Sequence, residues 1–496
     1  MITILLDNGS FEQDIRELLM AYFPGETFSH REEDASEAFC VAGLSEVPGE
    51  EHRYELRLRM KKDGNEETLS QTFSTDFSDR SRAKNEIKRC LYQMLRDYTG
   101  RDLPWGNLTG IRPTKIALTK LFSGESPEAI RDYMKETYYT GEEKRNLCVE
   151  VAQREKELLS GTDPVNGYSL YAGIPFCPTT CLYCSFTSFP IGAWKGRTGE
   201  YLDAMFREMD YIAEKMQGKM LQTVYIGGGT PTALSPEDLD RLIGGIKSRF
   251  PMDSVKEFTV ESGRPDSITA EKLQVLRDYG ISRISINPQT MKQETLDLIG
   301  RRHTVEEVLA KYRLAREMGF DNINMDLIVG LPGETPEDVA HTMEVIRELR
   351  PESVTVHSLA IKRAARLNIQ KENYRDYQII NTQDMIDLTA RCCREMGLLP
   401  YYLYRQKNMA GNFENVGYAL PGKECLYNVL IMEEQQTIMA CGAGTTTKFY
   451  HPEENRMERA ENPKDVNTYM KNLEEMLRRK EALFADVKKK PGTFAL

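Results

Sequence analysis

At 496 residues, 40% hydrophobic and 28% charged, the chain has an ordinary globular composition but exceeds what one hydrophobic core can organise. A net charge of −11 gives no general attraction to nucleic acid or to an anionic membrane. No apolar run is long enough to span a bilayer, and the opening Met-Ile-Thr-Ile-Leu-Leu-Asp lacks the basic segment of a signal peptide, so a cytoplasmic location is expected.

Residues 1–160 read as an N-terminal α+β domain. Tyr54, Leu56, Leu58 and Met60 alternate with charged residues, as a half-buried strand requires, and Phe39 to Leu44 and Leu69 to Phe73 are its expected neighbours. A helix is expected from Ser81 to Tyr98, and Ser126-Pro-Glu opens another, with a capping serine followed by proline in the first turn. The polar segment Gly161 to Gly167 reads as a linker.

From 168 to 380 the pattern changes to short apolar strands alternating with amphipathic helices. Strands are predicted at 169–176, 223–226, 258–260, 283–286, 323–329 and 353–359, with helices near 199–217, 236–249, 269–279, 304–318 and 336–348. Such alternation implies a parallel sheet with right-handed crossovers. Six repeats fall short of a closed eight-unit barrel, so the α/β fold expected is an open, partial (β/α)6 barrel. Residues 381–496 read as a mostly helical C-terminal region, closing with a charged helix around 463–481 and a solvated basic tail at Lys488-Lys489-Lys490.

Chemistry concentrates at the ends of these strands. Cys177, Cys181 and Cys184 follow the first strand in the spacing C-x3-C-x2-C, three thiolates on one loop with no fourth nearby. Three such ligands hold three irons of a cubane cluster and leave the fourth open, whereas structural zinc wants four ligands. Reactive surface cysteines or an incomplete zinc site are the bland alternatives. Cys40, Cys90, Cys148, Cys425 and Cys441 are scattered and read as core, and the pair Cys392-Cys393 as part of a helix. The second strand ends in Gly227-Gly228-Gly229-Thr230-Pro231-Thr232, where glycines allow a ligand close to bare backbone groups. The third leads into Glu261-Ser-Gly-Arg-Pro-Asp, the fourth into Asn287-Pro-Gln289-Thr, and the fifth carries Asp326 between Met325 and Leu327. A carboxylate in an apolar run needs a partner or a ligand; a salt bridge is the structural alternative.

These motifs resemble the radical S-adenosylmethionine (SAM) superfamily, and within it the oxygen-independent coproporphyrinogen III oxidase group. Tyr-x-x-Ile-Pro-Phe-Cys, Gly-Gly-Gly-Thr-Pro-Thr, Gly300-Arg301-Arg-His303-Thr and Gly330-Leu-Pro-Gly-Glu-Thr occur in that group's order. The resemblance implies a [4Fe–4S] cluster on Cys177, Cys181 and Cys184, with S-adenosyl-L-methionine on its open iron. It further implies cofactor contacts from Tyr171, Tyr183, Gly228, Gly229, Thr230, Glu261, Gln289, Arg301, Asp326 and Ala360. Two departures matter. The oxidases usually carry another cysteine two residues past the third ligand, where this chain has Phe186; the related haem chaperones carry a His-Asn-x-x-Tyr-Trp motif where it has Tyr427-Asn428-Val-Leu-Ile-Met432. The N-terminal unit, Trp105-Gly-Asn-Leu-Thr-Gly-Ile-Arg-Pro and Tyr404-Arg-Gln-Lys-Asn-Met resemble a third branch, the HemZ type.

The resemblance implies oxidative decarboxylation of coproporphyrinogen III to protoporphyrinogen IX in anaerobic haem biosynthesis, with a flavodoxin- or ferredoxin-like electron donor. A haem or porphyrin carrier and a radical SAM methyltransferase acting on a tetrapyrrole are the alternatives. A substrate with four propionates needs cations, for which Lys362, Arg363, Arg405 and Lys407 are candidates.

Overall fold

The computed structural model describes residues 1–484 except 8, 63, 363–364, 371–373, 375–376 and 407–412, and it divides into two compact units, one of residues 1–153 and one from Arg154 onward. In the first unit β1 (Ile2–Leu6), α1 (Glu12–Tyr22), β2 (Phe28–Ser29), β3 (Cys40–Glu46), β4 (Arg53–Lys62), β5 (Asn65–Ser74) and α2 (Arg80–Thr99) follow one another. The sheet order is β2-β1-β3-β4-β5, with the long antiparallel pair β4–β5 at one end. The period-2 pattern decides the faces of β4: Leu56, Leu58 and Met60 join Ile15, Leu18, Ile87 and Leu91 in one core, while Arg57 stays in solvent. Asp79 caps α2 by accepting from the Arg82 N–H, and Gly100 ends it in the left-handed conformation. Next come α3 (Thr114–Phe122), α4 (Pro127–Tyr138), capped by Ser126 as predicted, and α5 (Glu142–Ser160). The division between units falls inside α5. The 161–167 segment after it is a turn in which the Asp163 carboxylate accepts from the Val165 and Asn166 N–H groups.

The second unit is built on β6 (Gly167–Ile174), the short β7 (Phe176–Cys177) and β8 (Phe189–Pro190), α6 (Thr198–Lys215), β9 (Met220–Gly228), α7 (Pro236–Arg249), β10 (Glu257–Glu261), α8 (Ala270–Asp278), β11 (Arg283–Ser285), α9 (Gln293–Leu298), α10 (Val305–Glu317), β12 (Ile323–Val329), α11 (Pro336–Leu349) and β13 (Ser353–Ser358). The six expected strands are all present. They lie in the order β13-β12-β11-β10-β9-β6, every neighbouring pair parallel, as crossover helices demand. All six therefore end on one rim.

The C-terminal part comprises α12 (Arg366–Ile369), α13 (Gln383–Glu395), β14 (Leu399–Tyr404), β15 (Asn415–Ala419), α14 (Leu426–Glu433), β16 (Thr437–Cys441), β17 (Thr446–His451), β18 (Arg456–Glu461), α15 (Val466–Lys471) and α16 (Leu473–Phe484). Helices outweigh strands here, yet its five strands extend the barrel sheet on both sides. β15 and β14 add antiparallel beside β13, while β16 adds parallel beside β6 and carries β17 and β18, giving eleven strands. The predicted charged helix near its end is two, α15 and α16, broken at Asn472.

One buried ion pair fastens this region to the barrel. Glu208 on α6 is 0% exposed and accepts from four donors: Lys480 Nζ at 2.7 Å, Asn462 Nδ2 at 2.9 Å, Tyr469 Oη at 2.6 Å and the Gly442 N–H at 2.9 Å. Gly442 has φ +101°, and a side chain there would strike the Gly173 carbonyl, so glycine is required at the bend after β16. Full satisfaction of the carboxylate is what makes such a charge tolerable at zero exposure.

Candidate functional site

The cysteine loop leaves the sheet at β7, whose pairing with β8 closes a stem beneath residues 178–188. The loop is seated by the Leu182 N–H on the Ile299 carbonyl, the Thr179 hydroxyl on the Gly300 carbonyl and the Leu367 N–H on the Leu182 carbonyl. All three of its sulfurs have specific neighbours, that of Cys184 being the Phe186 N–H. Cys177 Sγ lies 3.4 Å from the Thr230 hydroxyl, and Arg264 Nη1 donates to Cys181 Sγ at 3.4 Å while its other nitrogens grip Asp266 and Thr179. Burial pushes the Cys177 thiol up to about 11 and also raises Cys184. Thiols so placed keep their protons until a cation displaces them. Among the described residues no three His, Cys, Asp or Glu side chains converge as a single ion requires. A cubane cluster asks for a different set, one thiolate on each of three separate irons.

Around this loop the rim carries the other predicted residues, linked contact by contact. Tyr171 stacks with Tyr225 at 6.0 Å and with Tyr427 at 5.8 Å, and the Tyr225 hydroxyl donates to Glu261 at 2.6 Å. Burial holds Glu261 up at about 7, with Asp326 adding to the effect. Asp326 accepts from the side-chain amides of Asn287 and Asn324, each at 2.7 Å, and lies 3.9 Å from His357 Nε2, so its salt-bridge reading is met by amides first. Arg301, 2% exposed, donates to the Gly263 and Asn287 carbonyls and to the Tyr183 hydroxyl. Ala360 follows the end of β13 on the same rim, next to Leu359, whose N–H bonds the Val329 carbonyl.

Two features mark this rim as built for a ligand. Gln289 is held at φ +68°, a conformation costly for a residue with a side chain, and its Oε1 is buried without a partner. Nearby, Ser262 Oγ, Arg301 Nε and both ring nitrogens of His303 are likewise buried and unsatisfied. A zwitterionic amino acid carrying ribose hydroxyls supplies donors and acceptors for such groups, so the residues present fit the cofactor that the motifs imply.

The glycine loop acts differently from the simple expectation. The Gly229 and Thr230 N–H groups are not bare: they donate to the Ile174 and Phe176 carbonyls. The glycine is needed because a side chain at 229 would come within 2.6 Å of the Phe176 carbonyl. Gly228, with Tyr171, Phe186, Thr187, Ala443 and Gly444, lines a cleft.

Sequence reasoning missed Arg264, His357, Tyr225 and the contribution of residues 443–445. Arg264 lay inside a quoted strand-end run, but nothing local pairs it with a cysteine 83 positions earlier. Of the four candidate cations, Arg405 is 4% exposed, so burial keeps it from presenting charge at an open mouth, and Lys362 is half-buried. Arg363 and Lys407 lie outside the described residues, as does the 488–490 run.

Comparison with known proteins gives a consistent picture. The family model of the Radical SAM superfamily matches residues 171–346. The oxygen-independent coproporphyrinogen-III oxidase-like protein HemZ of Bacillus subtilis is 43% identical over 84% of this chain and 84% of its own length. The haem chaperone HemW of Lactococcus lactis is 30% identical over 65% of this chain and 82% of its own. The solved structure of Escherichia coli coproporphyrinogen III oxidase, HemN, described as a radical SAM enzyme, superposes with a TM-score of 0.51 at 24% identity, covering 65% of this chain and 72% of that one, a likeness of fold.

Proposed function

The chain belongs to the oxygen-independent coproporphyrinogen III oxidase-like family of radical SAM proteins, and from that premise we propose that it oxidatively decarboxylates propionate side chains of a porphyrinogen, taking coproporphyrinogen III to protoporphyrinogen IX. The observation that carries the reading is the assembly on one rim of the three-cysteine loop, the strained Gln289 and the carboxylates of Glu261 and Asp326.

A [4Fe–4S] cluster and S-adenosylmethionine, when bound, supply the one-electron chemistry that removes a hydrogen atom from an unactivated carbon. Cys177, Cys181 and Cys184 would hold the cluster, and Arg264 would steady the Cys181 sulfur with a charged hydrogen bond. Glu261 and Asp326 would accept hydrogen bonds from the cofactor's ammonium and hydroxyl groups, and Gln289 Oε1 would gain the partner it lacks. Arg301 keeps Tyr183 and the Gly263 and Asn287 backbones in register beneath them. A flavodoxin- or ferredoxin-like donor would supply the electron. The carrier reading raised by the haem chaperones meets an obstacle in Tyr427. It replaces their histidine, is 4% exposed and is stacked on Tyr225 with ring centres 4.4 Å apart.

The test is anaerobic turnover with coproporphyrinogen III and a strong reductant, scored as vinyl groups formed per 5′-deoxyadenosine released. A measurable ratio supports the oxidase. Cofactor cleavage with no vinyl product, in protein carrying its full cluster, overturns it and makes a methylated tetrapyrrole the product to seek.

A further inference from the structure

Phe186 follows Cys184 by two residues and is 70% exposed, although a phenylalanine ring gains by leaving water. It forms one wall of the cleft that Tyr171 and Gly228 also line. The Lys362 ammonium stands over this ring, 5.5 Å from its centre. Lys362 is itself half-buried. Among the described residues no carboxylate is paired with it, whereas the partly buried Lys292 and Lys448 each have one. A half-buried cation with no carboxylate paired to it among the described residues, set over an aromatic ring, is a receptor for a carboxylate joined to a flat apolar body.

We propose that Lys362 and Phe186 form the substrate's recognition site, the ammonium gripping one propionate of a multi-carboxylate tetrapyrrole and the ring facing its macrocycle. The inference rests on the oxidase reading and adds the residues that select the substrate. The residue at the position of the missing cysteine then has a role of its own: it is a platform and not a redox group. S-adenosylmethionine also carries a carboxylate, so the two ligands must be tested separately.

The experiment uses the full chain, purified without oxygen and carrying its cluster. Coproporphyrin III is titrated by fluorescence quenching, its tetramethyl ester serves as the uncharged control, and S-adenosylmethionine binding is measured in parallel. Lys362→Met should weaken coproporphyrin binding roughly ten- to a hundred-fold, the value of one charge-assisted hydrogen bond, and leave ester and S-adenosylmethionine binding unchanged. Lys362→Arg should restore most of the affinity, which a misfolded variant would not. Phe186→Ala should weaken acid and ester alike. Undiminished coproporphyrin binding by Lys362→Met, or loss of S-adenosylmethionine binding in its place, overturns the assignment while leaving the oxidase reading intact. A wild-type protein that binds no tetrapyrrole overturns both.

Discussion

At the scale of single residues, the proposed site rests on three sulfurs and the groups that touch them. Replacing Cys177, Cys181 or Cys184 by alanine should each abolish bound iron, about four atoms per chain in the wild type, while Cys392→Ala should leave it unchanged; iron assay of anaerobically purified protein decides the matter. Arg264→Leu should retain iron but lower the cluster's reduction potential, because a charged donor to a sulfur stabilises the reduced state. A redox titration followed by electron paramagnetic resonance reads the shift, and an unchanged potential would reduce Arg264 to a scaffold. Asp326→Ala and Glu261→Ala should keep the cluster and weaken S-adenosylmethionine binding about ten- to a hundred-fold in equilibrium dialysis. The cysteines and strand-end carboxylates could be found from sequence because each is declared by its immediate neighbours. Arg264 and His357 could not, since their partners, Cys181 and Asp326, are brought to them by the fold alone.

At the scale of elements, the turn after β11 shows how a strained residue is held. Thr290, next to Gln289, donates to Glu334 at 2.5 Å, and the Met291 N–H donates to Thr342 on α11. Glu334 is 2% exposed, and burial raises its carboxyl to about 7, outweighing its bonds to Thr290 and Thr295. The folded state then holds a proton that the unfolded chain releases near its ordinary 4.5, so stability is full below that pH and falls as pH rises through 7. The loss is on the order of 3 kcal/mol. Glu334→Gln should flatten the decline in melting temperature between about pH 5 and 8, and an unaltered slope would place the titration elsewhere. The parallel strands were legible because short apolar runs recur between capped amphipathic helices; α7 occupies its predicted 236–249. β16 was not, because five consecutive buried residues, Thr437 to Cys441, carry no period at all. β17 and β18 were hidden by their polar and charged residues: Lys448 and Arg459 both reach Glu434 at the end of α14, and His451 reaches Glu458 across the hairpin.

At the scale of the whole molecule, the second unit holds together through charge as well as through its sheet. Lys480, 1% exposed, is the cation that neutralises Glu208. Lys480→Met should cost about 3–5 kcal/mol, the usual result of orphaning a buried charge, and Lys480→Met combined with Glu208→Gln should cost less than the single change. Denaturant melts of the two variants measure the difference; equal losses would mean that packing around α16 outweighs the ion pair. The pair also has a consequence in time. Glu208 leaves the ribosome early, and its cation is made 272 residues later. At 5–20 residues per second the interval is roughly 15–50 s. The last of the six barrel strands, β13, is complete at Ser358, well before Lys480, so for the rest of the interval α6 carries a carboxylate with no cation to receive it. A nascent chain must therefore leave this helix wet and the bend at Gly442 unset, so the cleft wall at Ala443 and Gly444 settles only after Lys480 has been made.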